Sequence, residues 1–333
     1  MRKNNFNQIR LWLAISVLFT HAFALTGNHV PATWGLSSGA FSIFIFFTIS
    51  GYLVTQSWDR EPNILPFIRK RALRLLPGWA ASFVATYAIV HFCNGFSGNA
   101  TGIQNGSWWT LPWESLCYAA VVGLGFAGAL NTTAFAAFFG AAWLVYFCNI
   151  GSQSVTMKHL TPLFMFFLMG AFIALNEKRL NIRTCAIYST ICLAVFFIVP
   201  IRDAIFWLLH ETPFVFGPGA SDFQIRQVAL LICIPFVAIY LAKYAPAIPF
   251  LEADLSYGTY VFGWPIQQAT VYVARHYGHP IESGIGLFCA ATPLILCVAT
   301  ASWYFVEKPA LKLKGRRPGT HANHPAERQT GKV

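Results

Sequence analysis

The residues able to do chemistry are few and lie far apart in the chain. Arg10 and His21 stand eleven residues apart in the first apolar segment, about 16 Å along a helix at 1.5 Å rise per residue. A neutral imidazole tolerates apolar surroundings and can accept a proton there, which suits general-base work in a sealed site; a helix-to-helix hydrogen bond is the plainer role. Arg71 and Arg74 are three apart, so on a helix they share a face. Guanidinium groups bind phosphate in bidentate fashion, which makes this pair a candidate holder of a phosphorylated cofactor. The alternative is an anchor on anionic lipid head groups. Glu114 is the only acidic residue between Glu61 and Glu177, and Trp108, Trp109 and Trp113 surround it in sequence. Indole faces stack on sugar C–H faces while a carboxylate accepts hydroxyl hydrogen bonds, so the group resembles a carbohydrate site. An interfacial aromatic belt explains the tryptophans but not the glutamate. Within Phe46-Phe47-Thr48-Ile49-Ser50-Gly51-Tyr52, the Ser50-Gly51 pair fits close helix packing.

The elements that must position these residues follow from composition. The chain has 333 residues, 56% hydrophobic and only 11% charged, with a mean hydropathy of +0.53. An average soluble domain carries roughly 25% charged residues. Too few charges exist to cover a water-exposed surface, which excludes a soluble globular protein, a disordered chain and a coiled coil. No Asp, Glu, Lys or Arg occurs over the 48 residues from Leu11 to Trp58 or the 43 from Ser115 to Met157. A spanning helix needs about 20 apolar residues, so each interval holds a helical hairpin. The turns fall at Gly27 to Ala32 and at Asn131-Thr132-Thr133. The expected fold is an all-α integral membrane protein of ten helices, near 9–27, 37–58, 77–93, 114–131, 133–149, 160–177, 184–201, 226–244, 254–274 and 284–306. Residues 203–225 read as an interfacial or re-entrant piece. Residues 1–310 form one multi-pass domain, and the basic segment 311–333 reads as a disordered cytoplasmic tail. His21 then sits somewhat beyond the midplane of a core roughly 30 Å thick, and Glu114 where the outer face of the bilayer begins.

Net charge is +11. With both termini in the cytoplasm, only Lys158, Arg202, Arg226 and Arg275 of the 23 basic residues fall outside. That bias is what the positive-inside rule demands, so basicity reports orientation and not a nucleic-acid partner. Ala22-Phe23-Ala24 has the small-x-small form of a signal-peptide cleavage site, yet the apolar run before it is longer than a signal core and contains His21, so helix one is read as retained. The eight cysteines show no CxxC pair or metal spacing and read as small apolar packing residues. No P-loop, dinucleotide fingerprint, HExxH or GxSxG elbow is present, and no internal repeat.

Taken in order, these segments resemble the membrane-bound acyltransferase-3 family. The resemblance rests on the spacing of Arg10 and His21, the FFTISGY segment, RKRALRLLP with Arg71 and Arg74, and WWTLPWESLCY. Leu255-Ser256-Tyr257-Gly258-Thr259-Tyr260 and Val306-Glu307-Lys308-Pro309 agree near the end, while 119–250 matches only in hydropathy. The resemblance implies a stand-alone enzyme of the plasma membrane that moves an acyl group, commonly acetyl, from cytoplasmic acyl-CoA to a hydroxyl of a sugar-containing acceptor. Such acceptors include lipopolysaccharide and exopolysaccharide. In that picture His21 is the general base, or carries the acyl group covalently, and Glu114 assists it. Arg10, Arg71 and Arg74 hold the donor, and Trp108, Trp109, Trp113 and Tyr257 contact the acceptor, with no metal. One departure stands out: family members often have a His at the position of Gly263, in a Tyr-x-x-His-x-Pro pattern. Substrate divergence is the expectation from that change, because His21 and Glu114 are retained. Two other classes fit the composition, a transporter or flippase of a lipid-linked sugar and a catalytically silent membrane scaffold.

Overall fold

The structure is a computed structural model that describes residues 4–33, 36–97, 105–148, 155–197, 222–246 and 253–315. Among them are ten long helices: α1 (Phe6–Leu25), α2 (Ser38–Arg60), α3 (Ile64–Ser97), α4 (Thr110–Phe126), α5 (Thr132–Cys148), α6 (Val155–Asn176), α7 (Ile182–Phe197), α8 (Asp222–Lys243), α9 (Ser256–His276) and α10 (Gly284–Ser302). A π-helical turn (Trp303–Glu307), a short α11 (Lys308–Lys312) and a 3-10 turn (Leu313–Gly315) continue the last of them. The only pairing of extended chain among the described residues is antiparallel, β1 (Ala32–Thr33) with β2 (Leu36–Ser37), between α1 and α2. The expected re-entrant piece at 203–225 falls almost wholly outside the described residues, as does the tail beyond residue 315.

Local sequence explains where these helices start. Ser37 caps α2 by accepting from the Ala40 amide at 3.2 Å, Asn131 caps α5 through Ala134 at 3.0 Å, and Ser283 caps α10 through Gly286 at 3.0 Å. Threonines inside the helices turn their hydroxyls back onto the carbonyl four residues earlier, as Thr48 does to Phe44 at 3.0 Å. Polar side chains are thereby satisfied without water.

The perimeter is apolar. Phe305 is 82% exposed, Phe126 81% and Leu65 75%, with many other large apolar side chains beside them. Water would not tolerate that surface, whereas lipid does. Among the described residues, four segments are long and apolar enough to cross a membrane: Phe6–Leu25, Ser38–Arg60, Ile64–Cys93 and Gly284–Lys312. The protein is an all-α membrane protein.

Two seams organise the interior. In the first, α2 runs against α6 with almost no side chain between them. A Cβ on Gly51 would stand 2.0 Å from the Phe167 carbonyl oxygen, and one on Gly170 would stand 2.0 Å from that of Thr48. Of the Ser50-Gly51 pair, Gly51 thus does serve close helix packing, whereas Ser50 turns elsewhere. In the second, α1, α3 and α10 surround α9 through Leu18, Val261, Leu287 and Ile295. One boundary differs from expectation: α3 begins at Ile64 instead of near residue 77, so Arg69 to Arg74 lie in a helix and not in a loop. Pro77 is carried inside that helix, as Pro162, Pro235, Pro265 and Pro293 are in others. Packed neighbours in a membrane bundle can satisfy the backbone groups a proline frees, so it need not end the helix.

Candidate active site

Five of the residues singled out by sequence line one cavity. Arg10 from α1, Arg71 and Arg74 from α3, Glu114 from α4 and Tyr257 from α9 share a space of about 90 Å3 with Ser50, Tyr118, Tyr260 and apolar side chains of α2. Each arrives for a local reason. Arg71 and Arg74 lie on the same face of α3 because they are three apart. Tyr257 is held by its hydroxyl, which donates to the Leu75 carbonyl at 2.7 Å, and its ring fills the place that a side chain at Gly78 would take.

The cations are arranged around a carboxylate that sequence did not single out. Asp254, just ahead of α9, accepts from Arg74 Nη2 at 2.6 Å and Arg10 Nη1 at 3.3 Å, and from the Ser256 hydroxyl at 2.5 Å. Arg74 and Asp254 are almost wholly withdrawn from solvent, with side chains 13% and 9% exposed. A buried charge pair persists only when its geometry and further hydrogen bonds offset desolvation, and here both conditions hold. Arg71 is different. It forms no ion pair within the described residues; its guanidinium lies over the Phe67 and Tyr118 rings, and its buried Nε has no hydrogen-bond partner. Tyr118 and Glu114 act on its charge, and Nε alone is left without an acceptor.

Glu114 sits in this same cavity, not at the outer rim. Its carboxylate accepts from the Tyr118 hydroxyl and from Ser50 Oγ at 3.3 Å, and its charge acts on Arg71. The reason is the segment before α4. Asn105, Ser107 and Thr110 are buried; the Asn105 amide donates to the Val261 carbonyl at 2.8 Å, and Thr110 shares a hydrogen bond with Tyr260 at 2.8 Å. The chain therefore enters α4 already inside the bundle. The tryptophans do not gather around Glu114. Trp108 stacks on Phe83 and donates to Ser82 at 3.1 Å, Trp113 packs into the core beside α2, and Trp109 is 43% exposed. None of the three lines the cavity.

His21 occupies a separate place, eleven residues and about 16 Å up α1 from Arg10. Its ring meets the edge of Trp264 at 4.5 Å, and its buried Nδ1 has no hydrogen-bond partner. Gly263 faces α1 one turn away: a Cβ there would come within 2.1 Å of Leu18 Cδ2. Absence of a side chain at 263 thus lets Leu18 and the α1 backbone close on α9, a contact completed by Gln267 donating to the Leu18 carbonyl at 2.9 Å.

Comparison with known proteins places this geometry. Residues 3–304 match the model of the acyltransferase domain family, acyltransferase 3. The chain belongs to that family. The acyltransferase is 28% identical to an O-acetyl transferase of Shigella phage Sf6 over 92% of this chain and 96% of that one. It is also 35% identical to nodulation protein 10 of Rhizobium leguminosarum bv. viciae, over 30% of this chain and 28% of that one. No solved structure gives a significant match. The acyltransferase is an enzyme of the O-acetyltransferase type, and its cavity is where three arginines and a carboxylate meet. Among the described residues no cluster of three His, Cys, Asp or Glu could hold a metal ion.

Sequence reasoning missed Asp254, Tyr118, Ser50 as a cavity residue, and Glu307. Asp254 carried one usable signal: it is an acid at the same predicted end of its helix as Arg10 and Arg74, so charge balance at that depth called for it. Glu307, 3% exposed, accepts from Ser302 at 3.0 Å and faces Arg74, delivered there by the π-helical turn. π-helical turns do not show in hydrophobic periodicity, so this placement had no sequence signal.

Proposed function

We propose that the acyltransferase moves an acetyl group from cytoplasmic acyl-CoA to a hydroxyl of a cell-envelope or secreted glycan, as a multi-pass protein of the plasma membrane with both termini inside. The observation that carries this is the convergence of Arg10, Arg71 and Arg74 on one cavity, with the buried Nε of Arg71 lacking an acceptor. A cavity with three cations and one carboxylate in its wall favours a strongly anionic ligand, and coenzyme A carries phosphates. The kinship with an O-acetyl transferase supports acetyl as the group moved.

With the phosphates at the arginines, the pantetheine arm extends along α1 toward His21, a distance of about 16 Å. The acceptor hydroxyl attacks the thioester carbonyl there. His21 takes the hydroxyl proton and returns it to the departing thiolate, so the new C–O bond forms as the C–S bond breaks. Of the three tryptophans ahead of and within the first turn of α4, Trp109 is the exposed one and offers indole surface to a sugar, with Trp108 and Trp113 packed behind it. Glu114, held by Tyr118 and Ser50, orients the donor arm and balances Arg71.

The test is transfer of label from radioactive acetyl-CoA to envelope glycan by the purified protein. His21→Ala is expected to lower transfer by about 10²-fold or more, the usual contribution of a general base, with normal abundance in the membrane. Wild-type transfer by that variant would refute the assignment.

A further inference from the structure

We propose that Lys314 completes the donor site as its outermost cation, taking the 3′-phosphate of coenzyme A. This rests on the reading of the donor as acyl-CoA. The helical C-terminal extension does not run free after α10. It folds back on α3, where Arg69 Nη2 donates to the Leu313 carbonyl at 2.9 Å, and the next residue is Lys314. The Lys314 side chain is half-buried, within range of the charges of Arg74, Arg71 and Lys70 and of Asp254.

Like charges brought together and partly desolvated repel, and such a cluster persists at a cost unless an anion joins it. The carboxylates nearby are already engaged. Asp254 is held between Arg10 and Arg74, Lys70 is paired with Glu61, Glu114 is bound by Tyr118 and Ser50, and Glu307 by Ser302. Among the described residues neither Lys314 nor Arg71 has an ion pair. Burial together with Arg74, Arg71 and Lys70 pushes the Lys314 ammonium down to about 8, so it is strained yet still protonated at neutral pH.

The chemistry of the ligand fixes which phosphate belongs where. Coenzyme A places its pyrophosphate next to the pantetheine arm and its 3′-phosphate on the ribose beyond. Arg71 lines the cavity, so it takes the pyrophosphate. Lys314 stands outside the cavity lining on the extension, so it meets the ribose end. A phosphate monoester carries between one and two negative charges at pH 7, matching an unpaired ammonium.

The experiment compares acetyl-CoA with 3′-dephospho-acetyl-CoA as donors for the full-length protein in phosphatidylcholine vesicles, reading label in glycan. Wild type is expected to show a KM about tenfold lower for acetyl-CoA, the scale of one hydrogen-bonded charge pair. Lys314→Gln is expected to raise KM for acetyl-CoA about tenfold, leave the dephospho donor and kcat unchanged, and so erase the discrimination; Lys314→Arg is expected to keep it. Equal use of both donors by wild type, or an equal loss with both in Lys314→Gln, would overturn the proposal while leaving the donor reading intact. An effect of Lys314→Gln that appears only when phosphatidylglycerol is added, and equally with both donors, would assign the lysine to a lipid head group and also overturn it. Failure of wild type to transfer label from either donor would remove the donor reading itself, and this proposal with it.

Discussion

Two carboxylates in this protein each gather basic and hydroxyl partners, yet only one of them holds cations that line the candidate site's cavity. Asp254 joins Arg10, Arg74 and Ser256 and so ties α1, α3 and α9. Glu177, just after α6, accepts from Tyr52 and Gln56 of α2, each at 2.9 Å, and from Lys243 and Tyr244 at the end of α8. In composition the two clusters are alike. Their difference is what surrounds the cations: Arg10 and Arg74 line the space that also holds Arg71 and Glu114, while no residue of the Glu177 cluster does. A buried charge cluster becomes a candidate for function where its charged groups also face room for a ligand.

The largest effect belongs to the seam that carries the Glu177 side. At Gly51 and Gly170 the atoms in the way of a Cβ are backbone carbonyl oxygens at 2.0 Å, which cannot turn aside as a side chain can. Gly170→Ala is expected to force α2 and α6 apart and abolish recovery of folded protein from membranes, measured by size-exclusion profile in detergent. A monodisperse variant with wild-type activity would show that the seam is looser than its geometry and that the scaffold side of the comparison is wrong.

Next in size is Asp254→Asn. It removes the charge from a carboxylate that two arginines share, leaving Arg10 and Arg74 without their hydrogen-bonded acid among Tyr257 and Phe46. Acyl transfer is expected to fall about hundredfold, the scale seen when a preorganised electrostatic contact is removed. Asp254→Glu is expected to recover part of it, since the longer acid can still reach one guanidinium. The measurement is glycan labelling per mole of folded protein. Unchanged transfer in Asp254→Asn would place Asp254 with Glu177, as a tie between helices and nothing more.

Much of the architecture is legible in the sequence, for reasons that particular residues make plain. The absence of charge from Leu11 to Trp58 and from Ser115 to Met157 marks α1 with α2 and α4 with α5 correctly, because desolvating a charge is costly wherever it occurs. The shared face of Arg71 and Arg74 and the packing role of Gly51 were also readable, since both depend on neighbours in the chain. Pairings across the fold were not. Asp254 meets Arg74 across 180 residues and Arg10 across 244, and nothing local in Glu-Ala-Asp-Leu-Ser announces either. The expectation sets Glu114 apart from the arginines because Trp108, Trp109 and Trp113 look like a membrane border, whereas it lines the same cavity as they do. What draws that segment inward is Asn105 reaching Val261, a hydrogen bond to the backbone of a distant helix.

The smallest expected effect sharpens the comparison most. Glu177→Gln keeps the shape and a carbonyl acceptor for Tyr52 and Tyr244 but loses the charge opposite Lys243, whose side chain is 33% exposed against 19% for the glutamate. Partial solvent access lets water take over part of the lysine's stabilisation, so the loss is modest, roughly 1 kcal/mol. Thermal unfolding followed by fluorescence is expected to shift down by a few degrees. Transfer per folded molecule is expected to stay within twofold of wild type, because no group of this cluster lines the cavity. A fall in transfer as large as that of Asp254→Asn, at unchanged stability, would mean that the α2–α6–α8 tie sets the cavity's shape at a distance, and the two carboxylates would then belong to one site.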